Sequence, residues 1–112
     1  MVVKRLQDFD SDHVLYAKFL TNQIRNGVYS NEKDSWISCD ILSKDTAECP
    51  LAWAVDSNKL NCIMVWSLID NEPGVDLGNE YYNDAVTYID KQIAKGGYRL
   101  GVFLNSILDK NC

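Results

Sequence analysis

A chain of 112 residues, 46% hydrophobic and 24% charged, has the size and make-up of one ordinary globular domain; such a composition excludes a disordered polymer, and such a length excludes two independent cores. No apolar run approaches the roughly 20 residues that span a bilayer, and residues 1–15, MVVKRLQDFDSDHVL, lack the continuous apolar stretch of a signal peptide. The formal net charge of −5, with no basic stripe, argues against nucleic acid being held by the chain's own cations, so phosphate chemistry would have to borrow positive charge from metal ions.

The first expected helix runs from about 12 to 26. Asp10, Ser11 and Asp12 offer N-cap oxygens, Gly27 offers a left-handed stop, and Leu15, Tyr16, Phe19, Leu20 and Ile24 form an apolar stripe. After Ser30 the chain restarts, with Trp36 and Ile37 as anchors of a short helix or turn. Thr46 can cap a third helix with Pro50 in its first turn. Its apolar positions are Leu51, Val55, Cys62, Val65, Trp66 and Ile69, and fraying is expected around residues 67–70. Residues 70–79, DNEPGVDLGN, read as a loop, with Asn79 as the cap of the last helix.

From there the apolar positions are Tyr82, Val86, Ile89, Ile93, Gly97, Leu100, Leu104 and Ile107, at steps of 4, 3, 4, 4, 3, 4 and 3. The register passes through Gly96-Gly97 without a slip. A turn there would reset the phase, so the spacing predicts one long helix from about 79 to 108 rather than two helices with a Gly-Gly joint. Each glycine costs a helix interior roughly 1 kcal/mol against alanine, so the pair is expected to admit a neighbouring backbone. With no strand pattern of useful length, the expected class is all-α.

Chemistry-bearing residues are few. His13, the one histidine, falls in the first turn of a helix, where a cap-region or solvent-facing role is expected before a ligand or general base. Asp8, Asp10 and Asp12 alternate without the glycine and closing glutamate of a calcium loop, so they read as a capping run. Gly96-Gly97 is no phosphate loop, because no Gly-Lys-Ser/Thr follows. Cys39, Cys49, Cys62 and Cys112 are too widely spaced for a structural zinc site. They suit either disulfides in an oxidising compartment or buried thiols. Among the aromatics, Tyr29 follows Gly27 in a loop and is expected to be exposed. The residues by themselves point to no catalytic group and no metal ligand.

The segment EYYNDAVTYIDKQIAKGGYRLGVFLNSIL, residues 80–108, closely resembles the carboxy-terminal helix of the zinc-dependent single-strand-specific nucleases of fungi and plants, the S-one/P-one type with mung bean nuclease as a relative. The features that carry the likeness are Tyr81-Tyr82, the run Gln92 to Leu100, and Leu104-Asn105. AWAVDSN followed by Cys62 resembles a second block. YAKFLTNQIRNGVYS with SWI resembles a third, through Gly27, Tyr29 and Trp36.

The resemblance implies that residues 1–112 are the carboxy-terminal part of a single nuclease domain, a helical fragment of the phospholipase C/P-one nuclease-type fold. The intact family holds three zinc ions and hydrolyses single-stranded DNA and RNA to 5′-nucleotides, with 3′-nucleotidase activity. Its metal ligands precede the region that this chain matches, so the chain alone is expected to bind no zinc and to be inactive. The missing amino-terminal half is then its partner, single-stranded nucleic acid the substrate of the whole, and a secreted or vacuolar location the family's. By the same resemblance Cys39 and Cys49 can form a local bridge, Cys62 pairs with a cysteine of the missing half, and Tyr29 matches a tyrosine that stacks a base. An exposed apolar stripe along residues 82–107 is expected where that half would pack. The alternative is a non-catalytic helical binding or interaction module derived from the fold; an unrelated phospholipase-like zinc enzyme fits the Gln92–Leu100 run less well.

Overall fold

The computed structural model describes residues 2–41, 47–66, 74 and 80–109. Along the chain come α1 (Val2–Gln7), α2 (His13–Arg25), a 3-10 helix (Lys33–Ile37), α3 (Glu48–Leu60) with a wider π-type continuation (Asn61–Trp66), and α4 (Glu80–Asp109). No strand occurs among the described residues, in line with the all-α expectation. The caps expected at Thr46 and Asn79, the fraying at 67–70, Cys112 and all of the 70–79 loop except Gly74 lie outside the described residues.

α4 is the spine. Its 30 residues pass through Gly96-Gly97 without interruption. At 1.5 Å per residue they reach about 45 Å, most of the 53 Å long axis of the protein. α2 and the 3-10 helix pack against one side of it. The core sits there, built from Tyr16, Leu20, Trp36, Tyr82, Ala85 and Ala94.

Local chemistry explains most boundaries. Asp12 caps α2 by accepting a 2.9 Å hydrogen bond from Val14 N–H, as the capping run implied. His13 is the first residue of that helix and is exposed. Ahead of it lies α1, which the sequence did not announce. The turn joining the two places Asp10 and Ser11 at φ 56° and 57°, and Ser11 N–H closes onto Leu6 O at 2.9 Å. Asp8, third of the alternating acids, takes no part in capping and instead accepts from Arg5.

Gly27 ends α2 for a different reason from the one expected. Its φ is not in the left-handed region. The chain instead folds back over Gln23, whose carbonyl accepts from Gly27 and Tyr29 while its side chain accepts from Val28 N–H. A Cβ on Gly27 would come to 2.9 Å from the Gln23 Cα, so glycine is required by close approach.

The apolar stripe of the third helix does not form a core. Leu51, Val55 and Trp66 are 65%, 53% and 56% exposed, and Cys62 is exposed as well. On α4 the expected stripe divides. Tyr82 is buried and Val86 and Ile89 are half-buried, whereas Ile93, Leu100, Leu104 and Ile107 are exposed, Leu100 at 57%. The buried line runs beside it, through Ala85, Asp90, Ala94 and Arg99, because α1, α2 and the 3-10 helix cover only that flank.

Candidate functional site

Among the described residues, two polar networks, a more exposed Lys91–Glu32 ion pair and one aromatic cluster hold the helices on α4. In the first, Arg5 of α1 lies against Asp90 of α4 with both forks engaged, Nε to Oδ1 at 3.0 Å and Nη2 to Oδ2 at 2.7 Å. Tyr16 of α2 donates its hydroxyl to the same Oδ1 at 2.5 Å. The remaining Arg5 nitrogen reaches Asp8 at 2.9 Å, and Tyr82 of α4 donates to that carboxylate at 3.2 Å. Phe9, Tyr16 and Phe19 surround the guanidinium, the nearest ring centre lying 5.0 Å away. Hydrogen bonding to Asp90 strengthens the Arg5 cation's hold on its proton. Burial first, then the Asp90 carboxylate, raises the Tyr16 hydroxyl above its ordinary range.

The second network joins α3 to α4. Asp56 accepts from Lys95 at 2.9 Å and Arg99 at 2.8 Å, and Arg99 Nε also donates to the Trp36 carbonyl at 2.8 Å. Lys95 and Arg99 are four residues apart, so α4 presents both cations to one carboxylate. Burial pushes the Asp56 carboxyl up, but the two cations outweigh it and hold it below the usual value.

Tyr29, expected to be exposed, is buried at 9% exposure. Its ring lies 5.5 Å from Trp36, which in turn meets Tyr98 edge-on at 6.0 Å, with Ala94 beneath. Leaving a loop for an apolar cluster is what an aromatic ring gains most from, and the fold-back over Gln23 delivers it there. Cys39 and Cys49 are joined as a disulfide with Cα atoms 5.5 Å apart, while Cys62 is a free thiol.

No described backbone covers Gly96 or Gly97. Among the described residues nothing lies within 4 Å of where their Cβ atoms would be, and the same is true of Gly101. Each glycine borders an open groove instead. Gly97 and Gly101 line one of about 560 Å³ between α2 and α4, and Gly96 lines another of about 330 Å³ between α3 and α4.

Chemically the arrangement is a scaffold. The buried carboxylate Asp90 and the half-buried Asp56 are each committed to cations, and among the described residues no buried side-chain nitrogen or oxygen lacks a hydrogen-bond partner. Nor do three or more His, Cys, Asp or Glu side chains of those residues gather closely enough to hold a metal ion. The described residues therefore do not fit the zinc that the resemblance implies. No helix among them is long and apolar enough to cross a membrane.

The sequence did not single out Arg5, Asp90 or Asp56, and it named Tyr16 and Arg99 only as part of an apolar stripe and of the Gln92–Leu100 run. One signal was present: Asp90 stands four residues from Val86 and four from Ala94, an acid on a helix face otherwise apolar.

Residues 2–109 match the family model described as S1/P1 Nuclease. The chain belongs to the S1/P1 nuclease family. It is 39% identical over 95 residues to Nuclease S1 of Aspergillus oryzae, a match covering 82% of this chain and 32% of that protein. Nuclease P1 of Penicillium citrinum is 36% identical over 99 residues, 87% of this chain and 36% of its own. Endonuclease 1 of Arabidopsis thaliana is 31% identical over 101 residues, 90% and 31% respectively. This S1/P1 chain thus spans about a third of the length of the curated relatives it matches. No solved structure matches it significantly.

Proposed function

We propose that these residues are the carboxy-terminal scaffold of an S1/P1-type domain that hydrolyses single-stranded DNA and RNA with zinc. The observation that carries this reading is the match of residues 2–109 to the family model by a chain that covers only about a third of each relative. The division of labour rests on the networks. Asp90 and Asp56 tie α1, α2 and α3 to α4, while metal ligation and phosphodiester hydrolysis fall to the amino-terminal portion. By family resemblance the assembled protein is secreted or vacuolar, and Cys62 pairs with a cysteine of that portion.

A direct assay is to join the 112 residues to the amino-terminal two thirds of the Aspergillus oryzae relative and measure hydrolysis of single-stranded DNA with zinc present. The joined protein is expected to cleave, and the 112 residues alone are not. A joined protein that folds and binds zinc without cleaving would sink the proposal. The second reading, a non-catalytic helical interaction module, is favoured by one observation: the engagement of the carboxylates at the heart of the described residues by arginine, lysine and tyrosine.

A further inference from the structure

Asn26 is the one asparagine of the chain that precedes a glycine. It stands exposed at the carboxy-terminal end of α2, where its φ of −130° has already left the helical range. Its side-chain amide donates only a long, exposed hydrogen bond of 3.3 Å to Asn22 Oδ1. The Gly27 N–H donates to Gln23 O at 3.2 Å, but the same carbonyl also accepts from Tyr29 N–H at 3.0 Å. Freeing the Gly27 nitrogen therefore leaves that carbonyl satisfied. With no Cβ on Gly27, nothing on that residue shields its nitrogen from the Asn26 side chain.

We propose that Asn26-Gly27 is a site of spontaneous deamidation in the folded chain, and that the isoaspartate product unseats Tyr29. The Gly27 nitrogen attacks Cγ of Asn26. As the N–Cγ bond forms the Cγ–Nδ2 bond breaks, and Nδ2 leaves as ammonia, carrying the proton that Gly27 gives up. Water then opens the resulting succinimide ring. Opening at Cγ gives aspartate; opening at the main-chain carbonyl gives isoaspartate, whose backbone is longer by the former Cβ. Neither product suits the fold. Aspartate puts a carboxylate where the carbonyls ending α2 already carry negative partial charge. Isoaspartate lengthens the chain where there is no slack, since even a Cβ on Gly27 would lie 2.9 Å from Gln23 Cα. The hydrogen bonds from Val28 and Tyr29 to Gln23 then lose their register. They are what brings the Tyr29 ring to 5.5 Å from Trp36. Every other asparagine is followed by a residue with a Cβ, and Asn22, Asn58, Asn83 and Asn105 lie inside helices.

The test incubates the folded 112-residue chain in mildly alkaline buffer and follows each asparagine by peptide mass mapping, with isoaspartate scored by a methyltransferase specific for it. The urea-unfolded chain and the Asn26→Gln and Asn26→Asp chains are run beside it. Asn26 is expected to be lost at least about tenfold faster than Asn105, which precedes serine inside α4. Its rate in the folded chain should lie within about tenfold of that in the unfolded one, because the end of a helix opens readily. The aged chain should melt lower, and its Val28 and Tyr29 amides should exchange faster, whereas Asn26→Gln should age without either change. Asn26→Asp carries the charge without the longer backbone, so its Tyr29 amide should stay protected. A folded-chain rate held further below the unfolded one would overturn the proposal, the bonds to Gln23 then shielding the site. Loss of Asn26 with unaltered exchange at Val28 and Tyr29 would overturn the release of the ring, and so would the same ageing in the Asn26→Gln chain.

Discussion

Arg5 and Asp90 stand 85 residues apart in sequence and meet through two parallel hydrogen bonds of 3.0 and 2.7 Å. With side chains only 17% and 10% exposed, the pair is the clasp that fixes the six residues of α1 to the middle of α4. So short a helix has no stability of its own, and its anchor is this fork.

Replacing Asp90 with asparagine keeps the shape but leaves the guanidinium with only the exposed carboxylate of Asp8 as counter-charge. The expected loss is about 2–3 kcal/mol, read as a lower thermal midpoint, with amide exchange in α1 rising before the rest. Unchanged protection in α1 would show that packing of Phe9 and Phe19 holds it instead.

Asp56 sets an acid limit. Its folded carboxyl lies below the ordinary value, so its contribution is complete above the unfolded value of about 3.9 and is lost as pH falls through the folded one. Stability should therefore decline as pH drops below about 4, and Asp56→Asn should flatten that part of the decline. A melt series from neutral to acid pH on both chains measures it.

Tyr16 sets the opposite limit. Burial and Asp90 raise its hydroxyl, so the stabilisation is complete below about pH 10 and is lost as pH climbs toward the raised folded value. Ultraviolet titration should show Tyr16 ionising only together with unfolding, and Tyr16→Phe should remove that coupling.

The glycines divide into two kinds. Gly27→Ala brings a methyl to 2.9 Å from the Gln23 Cα and should cost about 1–3 kcal/mol. Gly96→Ala meets nothing within 4 Å and should stabilise the isolated chain by up to about 1 kcal/mol. Opposite signs in two melting curves are the expected result; two losses would mean that Gly96 is crowded in solution.

Reduction of the Cys39–Cys49 bridge, ten residues apart in sequence, should lower stability by about 2–3 kcal/mol through the entropy of the unfolded loop. Cys62, being free and exposed, should take up an alkylating reagent in the folded state, while Cys39 and Cys49 stay unmodified until reductant is added. Peptide mapping after alkylation distinguishes the sites.

Most of the helices were legible because local signals agree. Asp12 caps where an aspartate before an amphipathic run should, and the unbroken apolar phase through Gly96-Gly97 required one helix of some thirty residues. α1 was not legible, since six residues are too few for a helical stripe to show, and they lean on the fork between Arg5 and Asp90. The exposed expectation for Tyr29 failed for a similar reason: loop position says nothing about a chain that doubles back over Gln23 to bury the ring.

Sequence alone determined the class, the long axis and the family, because hydrophobic phase, capping chemistry and a motif such as Gln92–Leu100 are properties of neighbouring residues. The partners of charges were decided only by the tertiary structure. Which acid Arg5 grips, which two cations share Asp56, and which flank of α4 is covered all depend on residues tens of positions apart. A hydrogen bond between distant side chains leaves no trace in the order of the chain, and neither does a groove; both exist only once the helices have chosen their faces.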